Sequence, residues 1–298
     1  MSKFPDIRFI INPTSGTKSK VDVAARIKLH LNHQKYSHEI VYTAYAGHAS
    51  DLAREASEKG CSIVVAVGGD GTVNEVARGL MNTDTAMAIL PKGSGNGLAR
   101  HLQVPMDLEG ALRVLNEGHT CSIDSGSING HPFVTTAGIG FDAYISSVFA
   151  GNKKRGLQSY VELVLKEVLS YKHLPVKASI NGSVLDTDCY VMAFANAAQY
   201  GNNAYIAPEA DIQDGLLDVC LVRRLDLIKA LNLSYCMLTN QLAHSDSAEY
   251  FKTKHVQVET EEPMMYHADG EYMGKTATFD VHIQPLSLKV VMPNLAKK

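Results

Sequence analysis

The sequence predicts an α/β domain followed by an antiparallel β domain. In residues 1–125 short β-rich runs alternate with helical stretches, and strand–helix alternation implies a parallel sheet covered on both faces. From residue 126 to 287 the texture changes to short strands punctuated by turn signals, the pattern of an antiparallel sandwich or barrel. The length of 298 residues accommodates both, at about 150 residues per domain.

Taken in order, Arg8 to Ile11, Glu39 to Thr43, Ile63 to Val67 and Met87 to Leu90 read as the strands of the first domain. The third is so continuously apolar that both its faces are expected to be buried. Between them Val23, Ile27 and Leu31 recur at helical spacing, and Leu52, Ala53 and Ala56 do so after a cap candidate, Ser50. In the second half the turn signals are Asn129-Gly130, Asn181-Gly182, Asp214-Gly215, Asp269-Gly270 and Met273-Gly274. Leu157 to Leu174 is the exception there, with Leu157, Val161, Val164, Leu165 and Val168 forming a helical stripe that either lies on the sheet or touches lipid.

Composition excludes several classes. With 45% hydrophobic and 20% charged residues the chain is neither disordered nor fibrous. Twenty-eight Lys and Arg against 31 Asp and Glu leave a net charge of −3, so there is no broad cationic field to grip a phosphate backbone, and nucleic acid is not an expected partner. The longest apolar run, Cys189 to Ala195, has seven residues, far short of the roughly 20 of a spanning helix. The N-terminus lacks a signal-peptide core, and a cytoplasmic location is expected. Five cysteines, odd in number and without a CxxC pair, argue against disulfides and thiolate metal sites, so a metal would be held by oxygens.

Three expected strands end in loops rich in Gly, Ser, Thr and Asn: NPTSG at 12–16, GGDGTVNE at 68–75 and PKGSGNG at 91–97. At the carboxyl edge of a parallel sheet such loops bind ligands. Gly68 and Gly69 let the backbone turn its amides toward an anion, and a helix starting at Thr72 would point its positive end at the same anion. Thr72 and Glu75 form a capping-box pattern, which helix capping alone explains. Asp70 beside phosphates implies an intervening Mg²⁺, unless it is an ordinary turn aspartate. Thr14 and Ser15 offer hydroxyls, Ser94 another, and Asn96 can cap the helix carrying Leu98 to Leu102. None of the loops fits the Walker pattern or a dinucleotide fingerprint.

These loops, in this order and at these intervals, resemble the catalytic domain of diacylglycerol kinases and bacterial soluble lipid kinases, relatives of sphingosine and ceramide kinases. KRGLQSY at 154–160, YGNNAYIAPEADIQDGLLDV at 200–219 and HADGE at 267–271 extend the resemblance to nearly the whole chain. It implies a Rossmann-like three-layer nucleotide domain, similar to that of NAD kinases and phosphofructokinases, over residues 1–125. A β-sandwich lipid domain would span 126–287, with 288–298 returning to the first domain and an active site in the cleft between the domains. Carried over by motif, ATP would be surrounded by Asn12, Pro13, Thr14, Ser15, Gly16, Thr43, Gly68, Gly69, Asp70, Gly71, Thr72, Val73, Asn74 and Ser94. Asp269 matches the family's proton acceptor. In a structural Mg²⁺ site Asp214 matches the carboxylate ligand, with Asp211 and Leu216 at positions that supply backbone carbonyls. The chain departs from the pattern at Thr135, where Asn is frequent, and at Gly201-Asn202-Asn203, where a glycine triplet is frequent.

Phosphoryl transfer to an alcohol needs in-line positioning, cations and a base. The glycine loops would hold the phosphates, Asp70 the catalytic Mg²⁺, and Asp269 the proton of a lipid hydroxyl. Glu271 would share a face with Asp269 if that segment were extended, and the pair could divide base and metal duties. Without the resemblance, Asp269-Gly270 is a hairpin turn, and Asp211 and Asp214 are loop acids. The expected function is an ATP- and Mg²⁺-dependent lipid kinase acting on diacylglycerol or a similar alcohol. It would meet its lipid by peripheral contact at the inner face of the membrane, and a homodimer is left open. The alternatives are an NAD kinase-like enzyme, since such enzymes carry loops like GGDGT, and a nucleotide-binding regulator without turnover.

Overall fold

A computed structural model of the chain describes residues 6–15, 22–150, 163–164, 166–168 and 170–294. It divides into two units, residues 1–123 with 286–298, and residues 124–285. In the first unit β1 (Ile7–Ile11), β2 (His38–Tyr42), β3 (Ile63–Gly68) and β4 (Ala86–Pro91) form a parallel sheet in the order β2-β1-β3-β4. The end of the chain adds to its edge, where Val290 pairs in parallel with Met87. All residues of β3 and β4 are buried, as continuous apolar runs in a doubly covered sheet require.

Helices α1 (Val23–His30), α2 (His48–Glu58), α3 (Asp70–Leu80), α4 (Gly97–His101) and α5 (Leu108–Glu117) connect and flank these strands. Asp22 and Asp107 cap α1 and α5 by accepting the amides of Ala25 and Gly110. Arg8 is buried inside β1, yet its guanidinium donates to the Leu52 carbonyl and Glu55 carboxylate, both at 2.9 Å, and is paired with Glu39. Its charge is thereby compensated where it leaves water.

Two capping expectations are corrected. Ser50 lies inside α2, whose N-cap is Gly47, and the capping is done from another helix: the Glu75 carboxylate accepts the amides of Gly47 (2.8 Å) and Ala49 (3.0 Å). Thr72 and Glu75 therefore form no capping box; α3 begins two residues earlier, after Gly69. A carboxylate aimed at the neighbouring helix start satisfies the same kind of donors that a local box would.

The second unit is antiparallel. Its elements are β5 (His119–Ile128), β6 (His131–Phe133), β7 (Thr136–Gly140), α6 (Phe141–Ala150), β8 (Leu174–Ile180), β9 (Ser183–Cys189), β10 (Val191–Ala195), β11 (Gln199–Gly201), β12 (Ala204–Tyr205), β13 (Leu217–Val222), α7 (Leu227–Leu238), β14 (Glu249–Thr253), β15 (His255–Ala268) and β16 (Glu271–Met292). Strands β14-β13-β10-β7-β15-β16 neighbour one another in that order, and β8 joins β15 while pairing with β9. Side chains alternate between two cores. Met192, Phe194, Val219 and Leu221 enter one with Phe133, Val256 and Phe279. Val191, Ala193, Ala195, Cys220 and Val222 enter the other, covered by Phe141 of α6 and by Leu233 and Cys236 of α7. Burial on both faces explains why the longest apolar run coincides with β10.

Asn129-Gly130, Asn181-Gly182 and Asp269-Gly270 all have positive φ at both residues and join antiparallel strands, as two-residue hairpin turns do. The other two turn signals read differently. Met273 is an extra residue within β16, since Tyr266 pairs with Gly274 and His267 with Tyr272, which makes a bulge. Asp214-Gly215 lies in an irregular loop before β13. The expected helix ending at Leu174 stops earlier, because Leu174 opens β8; Val164 and Val168 pack on the second core, while Leu157, Val161 and Leu165 lie outside the described residues. All five cysteines are free thiols.

In α3, a Cβ on Gly79 would lie 2.4 Å from the Ser50 carbonyl and 2.9 Å from the Ala53 Cβ of α2. Mid-helix Gly→Ala ordinarily stabilises by about 0.5–1 kcal/mol. Here we expect the opposite sign: Gly79→Ala lowers stability by roughly 1–3 kcal/mol through overpacking, measured by chemical denaturation.

Candidate functional site

A cleft of about 450 Å³ opens in the first unit where β1, β2 and β3 end. Asn12, Pro13, Thr14, Ser15, Thr43, Gly69, Gly71 and Thr72 line it, so eight of the sequence-derived nucleotide residues converge. Of the others, Gly16 lies outside the described residues, Val73 and Asn74 are buried within α3, and Gly68, Asp70 and Ser94 are not among the lining residues. The first helical bond of α3 runs from the Val73 amide to the Gly69 carbonyl at 3.1 Å. The amides of Gly71 and Thr72 therefore precede the helical ladder at the positive end of the helix, and both residues line the cleft.

Hydrogen bonds hold the cleft in shape. Asn12 donates from Nδ2 to Thr72 Oγ1 (3.2 Å) and accepts at Oδ1 from the Thr14 amide (3.0 Å) and hydroxyl (2.8 Å). The third loop is locked to the second. Lys92 donates its amide to the Gly68 carbonyl at 2.7 Å, and the backbones meet so closely that a Cβ on Gly93 would lie 2.6 Å from Gly69 Cα. Asp70 caps α4, accepting the amides of Asn96 (2.8 Å) and Gly97 (2.7 Å). The expected cap, Asn96, instead binds the Gly93 amide and carbonyl with its side chain. Arg100 donates to the Gly95 carbonyl at 2.9 Å.

Sequence inspection missed three further lining residues, Ala44, Tyr45 and Ala46; Glu75, read there only as part of a capping box, lines the cleft as well. Tyr45 is exposed and stacked on His48 with ring centroids 4.4 Å apart, while His48 Nδ1 accepts the Ala44 amide. Nothing in the spacing of this loop marks it as part of the cleft.

In the second unit Asp269 sits in the left-handed region at the β15–β16 turn. Its carboxylate accepts the amides of Val134 (2.9 Å), Thr135 (2.8 Å) and Thr136 (3.2 Å) and the Thr135 hydroxyl (2.5 Å). Burial pushes its pKa above the ordinary carboxylate value, against the opposing pull of these donors. Thr135, a departure from the family pattern, is thus a direct partner of the candidate base. Because Asp269 and Gly270 form the turn and Glu271 begins β16 opposite Ala268, the segment is not extended, and the argument that Asp269 and Glu271 share one face fails.

The turn is buttressed by His267 and Asp142, a pair the sequence reading did not single out although His267 opens the HADGE motif. His267 is buried; its Nδ1 accepts the Gly270 amide (3.2 Å), so Nε2 carries the hydrogen donated to Asp142 Oδ2 (3.1 Å). The Tyr200 hydroxyl donates to the same oxygen at 3.0 Å.

The third carboxylate group lies in the loop before β13. Asp211 accepts the Gln213 amide (2.9 Å) and Asp214 the Leu216 amide (2.9 Å), each closing a local turn. The remaining oxygen of Asp214 lies 3.1 Å from the Lys252 ammonium. Among the described residues no group of three or more His, Cys, Asp or Glu gathers as metal ligands.

Comparison with known proteins places this geometry. A family model of the diacylglycerol kinase catalytic domain matches residues 6–128, and one of the YegS C-terminal NAD kinase beta sandwich-like domain matches residues 135–292. A probable lipid kinase YegS-like of Chromohalobacter salexigens is 33% identical over 226 residues, 74% of this chain and 73% of that protein. A diacylglycerol kinase of Bacillus subtilis is 27% identical, covering 96% of both chains. The crystal structure of a putative diacylglycerol kinase from Bacillus anthracis superposes with a TM-score of 0.80 at 21% identity, covering 99% of both chains. An NAD kinase from Archaeoglobus fulgidus in complex with ATP superposes at 0.57 with 12% identity, over 97% of this chain and 94% of that one. The α/β unit with its phosphate-type loops and the β-sandwich unit that follows it are those of the diacylglycerol kinase and YegS-like lipid kinases, and the chain belongs to that family.

Proposed function

We propose that this protein transfers the γ-phosphoryl group of ATP to the hydroxyl of diacylglycerol or a similar lipid alcohol. The observation that carries the reading is the convergence of Asn12, Thr14, Ser15, Thr43, Gly71 and Thr72 on one cleft at the start of α3. Amides at a helix start and short hydroxyl side chains complement a polyphosphate. Asp70 accepts one amide at each oxygen, which leaves lone pairs free on both, so it fits an additional Mg²⁺ contact. Asp70 stands between the lining residues Gly69 and Gly71 in the chain, and Mg²⁺ held there would supply positive charge to the transferred phosphoryl group.

The alcohol's proton passes to the Asp269 carboxylate while its oxygen bonds to the γ-phosphorus and the bond to the ADP oxygen breaks. Four donors orient that carboxylate, and burial raises its proton affinity, both of which suit a proton acceptor. Asp269→Asn should lower lipid phosphorylation by roughly 10²–10⁴-fold with ATP binding retained, followed with radiolabelled ATP and calorimetry. Near-normal turnover in that variant removes Asp269 from this role. The same assay offers NAD in parallel, and label appearing only in NADP would overturn the lipid reading. ATP binding without any phosphorylated lipid would identify a silent regulator.

The base must be deprotonated, so activity should fall as pH drops through the raised Asp269 pKa, at a midpoint above the ordinary aspartate range. Thr135→Val removes a donor that favours the carboxylate and should move this acid limb to higher pH, while Thr135→Ser should leave it in place. A limb that does not respond to Thr135→Val assigns it to another group.

A lipid acceptor resides in a bilayer, so the protein should make peripheral membrane contact. Ile228, Leu231, Tyr235 and Leu238 support this: they recur on one exposed face of α7, opposite the buried Ala230, Leu233 and Cys236. No helix among the described residues is long and apolar enough to cross a membrane. Leu231→Glu with Leu238→Glu should weaken co-sedimentation with diacylglycerol-containing vesicles, whereas a change in molecular mass without that loss would mark the face as a contact between two copies of the chain.

A further inference from the structure

We infer that the loop from Asp211 to Leu216 is closed by the Lys252 ammonium in the role that a structural divalent cation would otherwise fill. The resemblance to lipid kinases implies Mg²⁺ on the Asp214 carboxylate, with the Asp211 and Leu216 carbonyls beside it. The donors present do not fit that ion. Lys252 Nζ lies 3.1 Å from Asp214 Oδ2, 3.0 Å from Asp218 Oδ2 and 3.3 Å from the Glu209 carbonyl. An ammonium has three hydrogens, and these three acceptors use them all.

Three amides of the loop have partners as well. Asp214 Oδ1 accepts the Leu216 amide (2.9 Å), the Asp211 carbonyl accepts the Asp214 amide (3.5 Å), and the Gly215 amide donates to the buried Asp124 carboxylate (2.8 Å). A hard cation needs several oxygens free to turn toward it. Here the Asp214 oxygen that does not close the local turn already faces a fixed positive charge, which repels a second cation. Access is not the obstacle: Leu216 and Lys252 line an open cleft of about 420 Å³. Lys252 bridges β14 to the loop and to β13, where Asp218 is almost fully buried and would otherwise carry an uncompensated charge.

The test is thermal unfolding of the intact chain without nucleotide or lipid, so its outcome is independent of the kinase reading. The wild type should unfold at the same midpoint in EDTA and in millimolar MgCl₂. Lys252→Met should lower the midpoint by several degrees and create a response: MgCl₂ or CaCl₂ restores part of the loss, and adding Asp214→Asn abolishes the restoration. Lys252→Arg, which keeps the charge, should remain indifferent to Mg²⁺ and covers the case in which the methionine variant does not fold. A saturable Mg²⁺-dependent rise in the wild type that Asp214→Asn removes would overturn the inference. So would an unchanged midpoint in Lys252→Met, or a lowered one that no divalent ion raises.

Discussion

The cleft of the first unit depends on the close backbone approach of the second and third glycine loops, at Gly69 and Gly93 and at the bond from the Lys92 amide to the Gly68 carbonyl. A side chain at Gly93 would push the loops apart and pull the Asn96 and Gly97 amides away from Asp70. With Asp70 displaced, α4 would lose its cap, and the start of α3, which carries the Gly71 and Thr72 amides, would lose its brace. The glycines thus serve packing between loops first. Any anion-binding capacity of the cleft follows from the position that packing imposes on α3.

The same economy recurs in the way carboxylates are used. Glu75 of α3 caps α2, Asp70 caps α4, Asp124 receives the Gly215 amide and Asp269 receives three consecutive amides. In each case an acid from one segment satisfies backbone donors of another. A buried or half-buried amide without a partner costs about 1–3 kcal/mol, so these acids are structural before they are chemical. Asp269 differs in degree: a hydroxyl joins the amides among its donors, and burial raises its proton affinity.

The period-2 and period-3.6 patterns made the strands and helices of the first unit readable in the sequence, with β1 to β4 starting within one residue of the expected positions. Long-range partnerships were not readable. Glu75 obeys the spacing of a capping box with Thr72, yet its carboxylate turns to a helix 26 residues earlier in the chain. Lys252 stands in an ordinary strand pattern, and nothing local announces that it will meet Asp214, 38 residues before it. Motif resemblance located the cleft because glycines and short hydroxyl residues report local backbone demands. It could not report the ion pair at Asp214, because a lysine supplied by β14 replaces the need for a ligand without altering the loop's own sequence.

That distinction bears on how the two proposed cation positions differ. At Asp70 the carboxylate is held by neutral amides, so the negative charge persists and a cation brought by a nucleotide, as proposed above, would lower the local field. At Asp214 a protein cation, shared with Asp218, is already present. A loop that needs to stay closed whether or not substrate is bound is better served by a tethered ammonium, whose effective concentration does not depend on free Mg²⁺. Under the proposed kinase reading Asp70 would gain from the reverse, because a cation that arrived with the nucleotide and left with the product would let the same cleft bind before transfer and release afterwards.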